Sequence, residues 1–267
     1  HMGNEDLCKE MILSALDSGA DCVKLQTVNE EESYLPNTES YKIFKGTHLN
    51  YTSLKRLSNF AKDNNGFLFS TPADFSSLDL LNSIDVCAYK ISSGLLTNSP
   101  LLDKMGTYNK PIILSTGMAT LSQVSDAVEI VRIHKIEPII LQCTTNYPSK
   151  IEETNLLAMK SMEKALNVKI GYSDHVLNNY ACFSAVALGA TVIEKHFTLS
   201  KNDLGPDHSC SSEPNEFKEL VYGIRQVEKS IGSSLKHPSI SERMNEFGMK
   251  RSLVVNNNLE KGDVIKV

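Results

Sequence analysis

The chain has 267 residues, of which 41% are hydrophobic and 22% charged, and its net charge is −5. This composition is ordinary for a globular protein, and the lack of a basic stripe excludes nucleic acid as an expected partner. No apolar run reaches the roughly 18 residues that a membrane-spanning helix needs, and no signal peptide is evident. The six cysteines are scattered, without a Cys-x-x-Cys pair, which favours reduced core thiols in a cytoplasmic protein.

Short apolar runs predict buried strands, and the amphipathic segments between them predict helices. The runs cover residues 21–26, 66–71, 88–93, 111–116, 138–144, 168–173 and 191–197. Continuous apolar strands that alternate with helices indicate an α/β fold with a parallel sheet covered by helices. Seven such strands predict a (β/α)₈ TIM barrel whose first strand is missing from this chain.

The predicted barrel covers residues 1–235, and residues 236–250 are predicted to be a linker. The last stretch, residues 251–267, reads "RSLVVNNNLEKGDVIKV" and predicts two short strands around a turn at Lys261, Gly262 and Asp263. A segment of this length cannot bury a core of its own. It is therefore predicted to be the beginning of a second, truncated domain.

Polar side chains end each of the predicted strands, where the active sites of such barrels lie. Lys24 and Lys90 come from different strands and are expected to point into one cavity. Hydroxyl groups at the strand ends are expected around them: Thr71, Ser93, Ser115 and Ser173. Ammonium and hydroxyl groups together favour an anionic, phosphorylated ligand. For any single residue, a solvent-directed lysine or a helix-capping serine stays an alternative.

Two histidines follow neighbouring strands. His175 and His196 are expected to bring their imidazoles together, and such a pair with open positions suits a catalytic divalent metal ion. Asp174 and Glu194 are expected to hold the two rings by hydrogen bonds. Asp207, in a long loop after the last strand, could accept hydrogen bonds from a sugar hydroxyl or could equally be a solvated loop residue.

Taken together, these motifs resemble the sialic acid synthase family, which joins phosphoenolpyruvate to an N-acylated amino sugar. In order along the chain they read "HMGNEDL", "VKLQT", "FLFSTP", "YKISSG", "ILSTGM", "NYP", "GYSDH", "EKHFT" and "GPDH". The resemblance implies a transferase that forms a carbon–carbon bond, releases phosphate and produces a nonulosonic, sialic-type acid. The acceptor stays open between N-acetylmannosamine, a diacetamido relative of the legionaminic or pseudaminic type, and a 6-phosphorylated sugar.

The same resemblance implies a role for particular residues. His175 and His196 would hold Mn²⁺, with Mg²⁺ or Co²⁺ as alternatives, and both would be catalytic together with Lys24 and Lys90. Phosphoenolpyruvate contacts would come from Lys24, Thr71, Lys90, Ser93, Ser115, Ser173 and Thr145, the last at a position where some members carry Asn. Sugar contacts would come from Gln26, Tyr147 and Asp207.

The chain departs from the family pattern at both ends. The family has a glutamate in a strand before the first loop, and a C-terminal antifreeze-like (SAF) domain that swaps across a homodimer. This chain begins after that strand and resembles only the start of that domain. The natural protein is accordingly expected to be a domain-swapped homodimer, and the 267 residues alone are expected to turn over poorly.

Two other functions stay open at this point. A lysine at the end of a barrel strand can form a Schiff base, so Lys90 could serve an aldolase. A non-catalytic barrel that binds a phosphorylated sugar would use the same lysines and hydroxyl groups.

Overall fold

Seven parallel strands form one curled sheet, and their spatial order is their order along the chain. The computed structural model describes residues 1–264. The strands are β1 (Cys22–Thr27), β2 (Phe67–Pro72), β3 (Tyr89–Ile91), β4 (Ile112–Ser115), β5 (Ile139–Cys143), β6 (Lys169–Asp174) and β7 (Ile193–Lys195). All seven predicted strands are confirmed.

Helices connect successive strands and cover the outside of the sheet. They are α1 (Glu5–Asp17), α2 (Glu30–Ser33), α3 (Glu39–Phe44), α4 (Tyr51–Asp63), α5 (Phe75–Ser83), α6 (Ser99–Thr107), α7 (Leu121–Ile133), α8 (Leu157–Leu166), α9 (Tyr180–Ala187), α10 (Pro214–Ile231) and α11 (Ile240–Met249). Local sequence sets their ends. At α7, for example, Thr120 and Gln123 form a reciprocal capping box, which satisfies backbone N–H groups that a helix start leaves free.

The apolar strand residues are buried between the helix layer and the interior of the curled sheet. The larger cluster includes Ile12, Leu57, Ile91 and Leu102, and a smaller cluster lies around Tyr172 between β6, α9 and α10. Burying one such side chain stabilises the fold by about 1.5–3 kcal/mol. The strands are continuous apolar runs because both of their faces are covered.

The helix layer continues from one end of the sheet to the other, whereas the sheet itself does not close within residues 1–264. Helix α10 packs against α9 and also against α1, where a Cβ on Gly19 would lie 2.9 Å from Val221 Cγ1. Within residues 1–264, however, β1 and β7 do not pair with each other. A cavity of about 620 Å³ lies along this gap between β1 and β7. The α/β architecture with a barrel-like parallel sheet is confirmed, whereas the missing strand stays a prediction.

Residues after Ile231 belong to a second unit, which contains α11. The turn expected around Gly262 is present, since the Asp263 amide donates to the Glu260 carbonyl at 3.1 Å. The two strands expected beside this turn are not formed in residues 251–264, which are exposed throughout. The rest of that expectation falls on residues 265–267, outside the described residues. Among the helices of residues 1–264, none has the length and apolarity needed to cross a membrane.

Candidate active site

Two lysines and one glutamate from three strands meet inside the curled sheet. Lys24 Nζ of β1 lies 3.9 Å from Glu194 Oε2, and Lys90 Nζ of β3 lies 3.6 Å from Glu194 Oε1. Ser173 of β6 donates a hydrogen bond to Glu194 Oε1 at 2.9 Å, and Lys90 donates to Ser115 Oγ of β4 at 2.6 Å. The structure therefore brings both predicted lysines to one carboxylate, across the gap between β1 and β7.

The alternation of side chains along a strand explains why Glu194 lies here. Successive residues of a strand point to opposite faces, so Glu194 and His196 face the interior while Lys195 faces the helix layer. In the same way Asp174 faces the helix layer. The expectation that Asp174 and Glu194 hold the two imidazoles is wrong, because Glu194 binds the lysines and Ser173, and Asp174 binds Lys195 at 2.6 Å. The sequence "IEKH" does indicate this position for Glu194, because alternate residues of a strand share a face and Glu194 is two residues before His196.

Burial and charge shift the pKa values of this cluster in opposite directions. Burial lowers the pKa of Lys90 to about 8, against the attraction of the Glu194 carboxylate. Burial alone would raise the pKa of Glu194, but the ammonium groups of Lys24 and Lys90 lower it to about 2. Glu194 is thus ionised at neutral pH, and the two lysines exceed it by one positive charge. This excess favours an anionic ligand.

Two of the predicted hydroxyl groups are buried without a partner within residues 1–264. Thr71 Oγ1 and Thr145 Oγ1 make no hydrogen bond, and buried hydroxyl groups are rarely left in that state unless a ligand or water binds them. Ser93 Oγ accepts a hydrogen bond from the Gly117 amide at 3.0 Å. A Cβ on Gly117 would lie 2.0 Å from Thr145 Oγ1. Ser93 and Thr145 therefore lie close together, and glycine is required beside them.

The two predicted histidines lie side by side under an aromatic ring. Their ring centroids are 5.3 Å apart, and the Tyr147 ring centroid is 4.1 Å from that of His175 and 5.6 Å from that of His196. Nδ1 of His175 donates to the Thr144 carbonyl at 2.8 Å, and Nδ1 of His196 lies 3.7 Å from Asp207 Oδ2. In both rings Nε2 is left free to bind a ligand.

This donor set fits a divalent metal ion held by two imidazoles. Metal ligation requires neutral imidazole, and burial, followed by the nearby Lys24 charge, lowers the pKa of His196 to about 4. Nowhere in residues 1–264 do three or more His, Cys, Asp or Glu side chains form a metal-binding group. Water or substrate would therefore have to complete the coordination of a metal ion on His175 and His196.

The remaining predicted sugar contacts lie at the rim. Gln26 is exposed at the end of β1 and lines the cavity together with Asp207 and His196. Cys143, which the sequence places among core cysteines, lies at the site instead, with Sγ 3.5 Å from Ser93 Oγ and 3.9 Å from His175 Nδ1. Only its place at the end of a strand could have indicated this.

A family model described as the NeuB family matches residues 11–236. The chain belongs to the NeuB family. N,N'-diacetyllegionaminic acid synthase of Campylobacter jejuni is 40% identical over 281 residues, which cover 99% of this chain and 84% of the relative. Pseudaminic acid synthase of Helicobacter pylori is 33% identical over 282 residues, 99% of this chain and 82% of the relative.

A solved structure adds the fold of this family. The crystal structure of N-acetylneuraminic acid (sialic acid) synthetase from Leptospira borgpetersenii, in complex with citrate, matches with a TM-score of 0.87 and 31% identity, covering 94% of this chain and 90% of that one. The predicted resemblance is confirmed. So is the prediction that this NeuB family chain is a carbon–carbon bond-forming enzyme of the sialic acid synthase type.

Proposed function

We propose that this NeuB family chain condenses phosphoenolpyruvate with an N-acylated amino sugar and releases phosphate. The observation that carries the proposal is the cluster of Lys24, Lys90 and Glu194 inside the curled sheet, together with the buried hydroxyl groups of Thr71 and Thr145, which have no partner within residues 1–264. It offers a polyanion two ammonium groups and two free hydroxyl donors, which is the chemistry that phosphate and carboxylate groups require.

The chain's own residues would bind and orient both substrates. Lys24 and Lys90 hold the phosphate and carboxylate groups, and Ser115 fixes the Lys90 ammonium. This orientation presents the methylene carbon of phosphoenolpyruvate to the sugar aldehyde, which lowers the entropic cost of the reaction. As the new carbon–carbon bond forms, the π bond of the aldehyde breaks, and its oxygen takes up a proton and becomes a hydroxyl group. This leaves positive character at the enol carbon. Water adds there, and the carbon–oxygen bond to phosphate then breaks.

His175 and His196 are the residues that would hold a divalent metal ion, for which we propose Mn²⁺. Such an ion supplies Lewis-acid polarisation of the aldehyde oxygen. Tyr147 covers both imidazoles and restricts access of bulk water to them. Asp207, beside His196 at the rim, is placed to accept hydrogen bonds from sugar hydroxyl groups.

For the acceptor, we propose an N-acylated amino sugar of the diacetamido type as the first to test. The support is that the relative named for a diacetylated legionaminic acid is 40% identical, against 31% for the human N-acetylneuraminate-9-phosphate synthase. The rim residues Gln26, Tyr147 and Asp207 would contact this sugar.

The test is phosphate release from phosphoenolpyruvate with Mn²⁺ across a panel of diacetamido sugars, N-acetylmannosamine and its 6-phosphate. We expect release that depends on the sugar and stops when a chelator removes the metal. Release that is equal with and without every sugar would contradict the condensation, and release that a chelator leaves unchanged would contradict the metal.

One observation favours a second candidate, a Schiff-base aldolase. Lys90 is almost fully buried and its pKa is lowered to about 8, which makes a neutral, nucleophilic amine accessible. Borohydride treatment with a carbonyl substrate would trap an adduct on Lys90 in that case. An unmodified Lys90 peptide in the mass spectrum would leave the condensation as the function.

A further inference from the structure

Asp174 and Lys195 form a buried ion pair behind the two histidines. Their side chains are 0% and 2% exposed, and Lys195 Nζ lies 2.6 Å from Asp174 Oδ2. The two residues are directly opposite each other in the register of β6 and β7. Each immediately precedes a histidine of the site, His175 in one strand and His196 in the other.

The hydrogen bonds of this pair fix the chain segments that carry His175. Lys195 Nζ donates to the Val176 carbonyl at 2.5 Å and to the Asn178 carbonyl at 3.2 Å. Asp174 Oδ1 accepts from the Val176 amide at 3.0 Å. The loop after β6 is thus tied to the end of β7 by one side chain.

The Asp174 carboxylate is also tied to the helix layer. It accepts hydrogen bonds from the Tyr172 hydroxyl at 2.9 Å and from the Cys182 thiol of α9 at 3.2 Å. Every oxygen of the carboxylate and the whole ammonium group therefore have partners, which a buried ion pair needs in order to offset its desolvation. The pair thus links β6, β7 and α9 through one set of hydrogen bonds.

We propose that Asp174 and Lys195 are positioning residues that set the separation and orientation of the His175 and His196 imidazoles. The proposal rests on the proposed function for the metal that these rings would hold. A bound metal ion accepts ligand distances only within about 0.2 Å. A small shift of β7 against β6 therefore weakens binding even though both imidazoles remain. Neither Asp174 nor Lys195 contacts the reacting atoms.

The first measurement compares Mn²⁺ affinity in the full chain and in the Lys195→Met variant. Removing a group that orients metal ligands typically costs 10–100-fold in affinity, and we expect an increase in the Mn²⁺ Kd of that order. The matched control is Leu102→Ala in α6, a fully buried position in the outer layer of the other core cluster. It lowers thermal stability as well, but its Mn²⁺ Kd should stay within about twofold of the unchanged chain.

Lys195→Met leaves the buried Asp174 charge unpaired, which can itself destabilise the fold. A second variant controls for this effect. The double variant Asp174→Asn and Lys195→Met has no unpaired buried charge, yet it still loses the Lys195 bonds to Val176 and Asn178. We expect the same loss of Mn²⁺ affinity from it.

The second measurement needs no metal. The ¹⁵N ring resonances of His175 and His196 report the environment and tautomer of each imidazole in the metal-free protein. Both should move in the Lys195 variants and neither in Leu102→Ala. Unchanged ring resonances and an unchanged Mn²⁺ Kd, together with a lower Tm, would reduce the pair to a stabilising role and overturn the proposal. If the unchanged chain itself binds no Mn²⁺, the metal part of the proposed function fails, while the ring resonances still decide whether the pair positions the histidines.

Discussion

At Gly117 the candidate site leaves no room for even one methyl group. A Cβ there would lie 2.0 Å from Thr145 Oγ1 and 2.8 Å from Ser93 Oγ, far inside van der Waals contact. We expect Gly117→Ala to displace these hydroxyl groups and to raise the Kd for phosphoenolpyruvate at least about tenfold, the effect of losing one charge-assisted hydrogen bond. Isothermal titration calorimetry measures it. The control is Gly248→Ala, where a Cβ meets nothing within 4 Å; an unchanged Kd in Gly117→Ala would place the ligand elsewhere.

Lys90 should make ligand binding sensitive to alkaline pH. Its pKa in the folded protein is lowered to about 8, chiefly by burial, so the ammonium group loses its proton as the pH rises through that value. We expect the Kd for phosphoenolpyruvate to be constant just below pH 8 and to rise by up to about tenfold per pH unit above it. A flat Kd up to about pH 10 would show that the charge of Lys90 does not bind the ligand.

The same shift has the opposite consequence for stability. Between about pH 8 and the ordinary lysine value of 10.5, the unfolded chain holds more protons than the folded one. The free energy of unfolding therefore gains from Lys90 as the pH rises through this window. Ligand binding should therefore weaken in the same pH range in which the Lys90 contribution to stability increases. A weaker affinity in this range cannot then be attributed to unfolding caused by Lys90.

At the level of residues, sequence reasoning identified which side chains lie in the site better than it identified their contacts. Lys24 and Lys90 are identifiable because they are charged residues within apolar strands, and His175 and His196 because they directly follow such strands, whose carboxyl ends meet at one edge of a parallel sheet. The role of Glu194 was missed because its partners come from β1 and β3, far away in the chain. Distances across a sheet depend on curvature and register, which no local pattern specifies.

Among the elements, α7 offers a local test of how the chain specifies its helix starts. Thr120 Oγ1 accepts from the Gln123 backbone amide, and Gln123 Oε1 accepts from the Thr120 backbone amide. Thr120→Ala should lower the free energy of unfolding by about 1 kcal/mol, measured by urea denaturation with an unchanged m-value. Ser122→Ala, an exposed position inside the same helix, is the control and should change it by less than about 0.5 kcal/mol. Equal changes in the free energy of unfolding for the two substitutions would show that the Thr120 cap does not stabilise the helix.

The long helices and all strands were predictable, whereas the connection between β1 and α4 was not. Helix α2 has four residues and α3 has six, too short to show a helical period. Glu30 of α2 is buried because its carboxylate accepts from the Gly46 amide at 3.2 Å and lies 3.6 Å from His48 Nδ1. The conformation of this segment thus depends on the tertiary contacts of one charged residue. The pattern of charges along the sequence does not reveal such contacts.

For the molecule as a whole, the second unit should contribute little to stability. Nearly all described residues after Ile231 are exposed, and hydrophobic stabilisation scales with the apolar area that is buried. A chain ending at Ile231 should therefore unfold within about 2 °C of the full chain in a thermal melt. A decrease of more than about 5 °C would show that the residues after Ile231 stabilise the first unit. The domain-swapped homodimer stays a prediction, and sedimentation of both chains at several concentrations would test it.

The gap between β1 and β7 has a consequence for amide hydrogen exchange. Within residues 1–264, each of these strands has a neighbour on one side only, so some of its N–H groups lack the ladder bonds that slow exchange in β3 and β4. Lys24 and Glu194 stand on opposite sides of this gap. A ligand that binds both residues would link β1 to β7. Amide exchange should therefore slow most in these two strands when phosphoenolpyruvate and Mn²⁺ are added. Slowing confined to the central strands would contradict this. Ligand binding would then be visible as slower exchange at the two borders of the sheet.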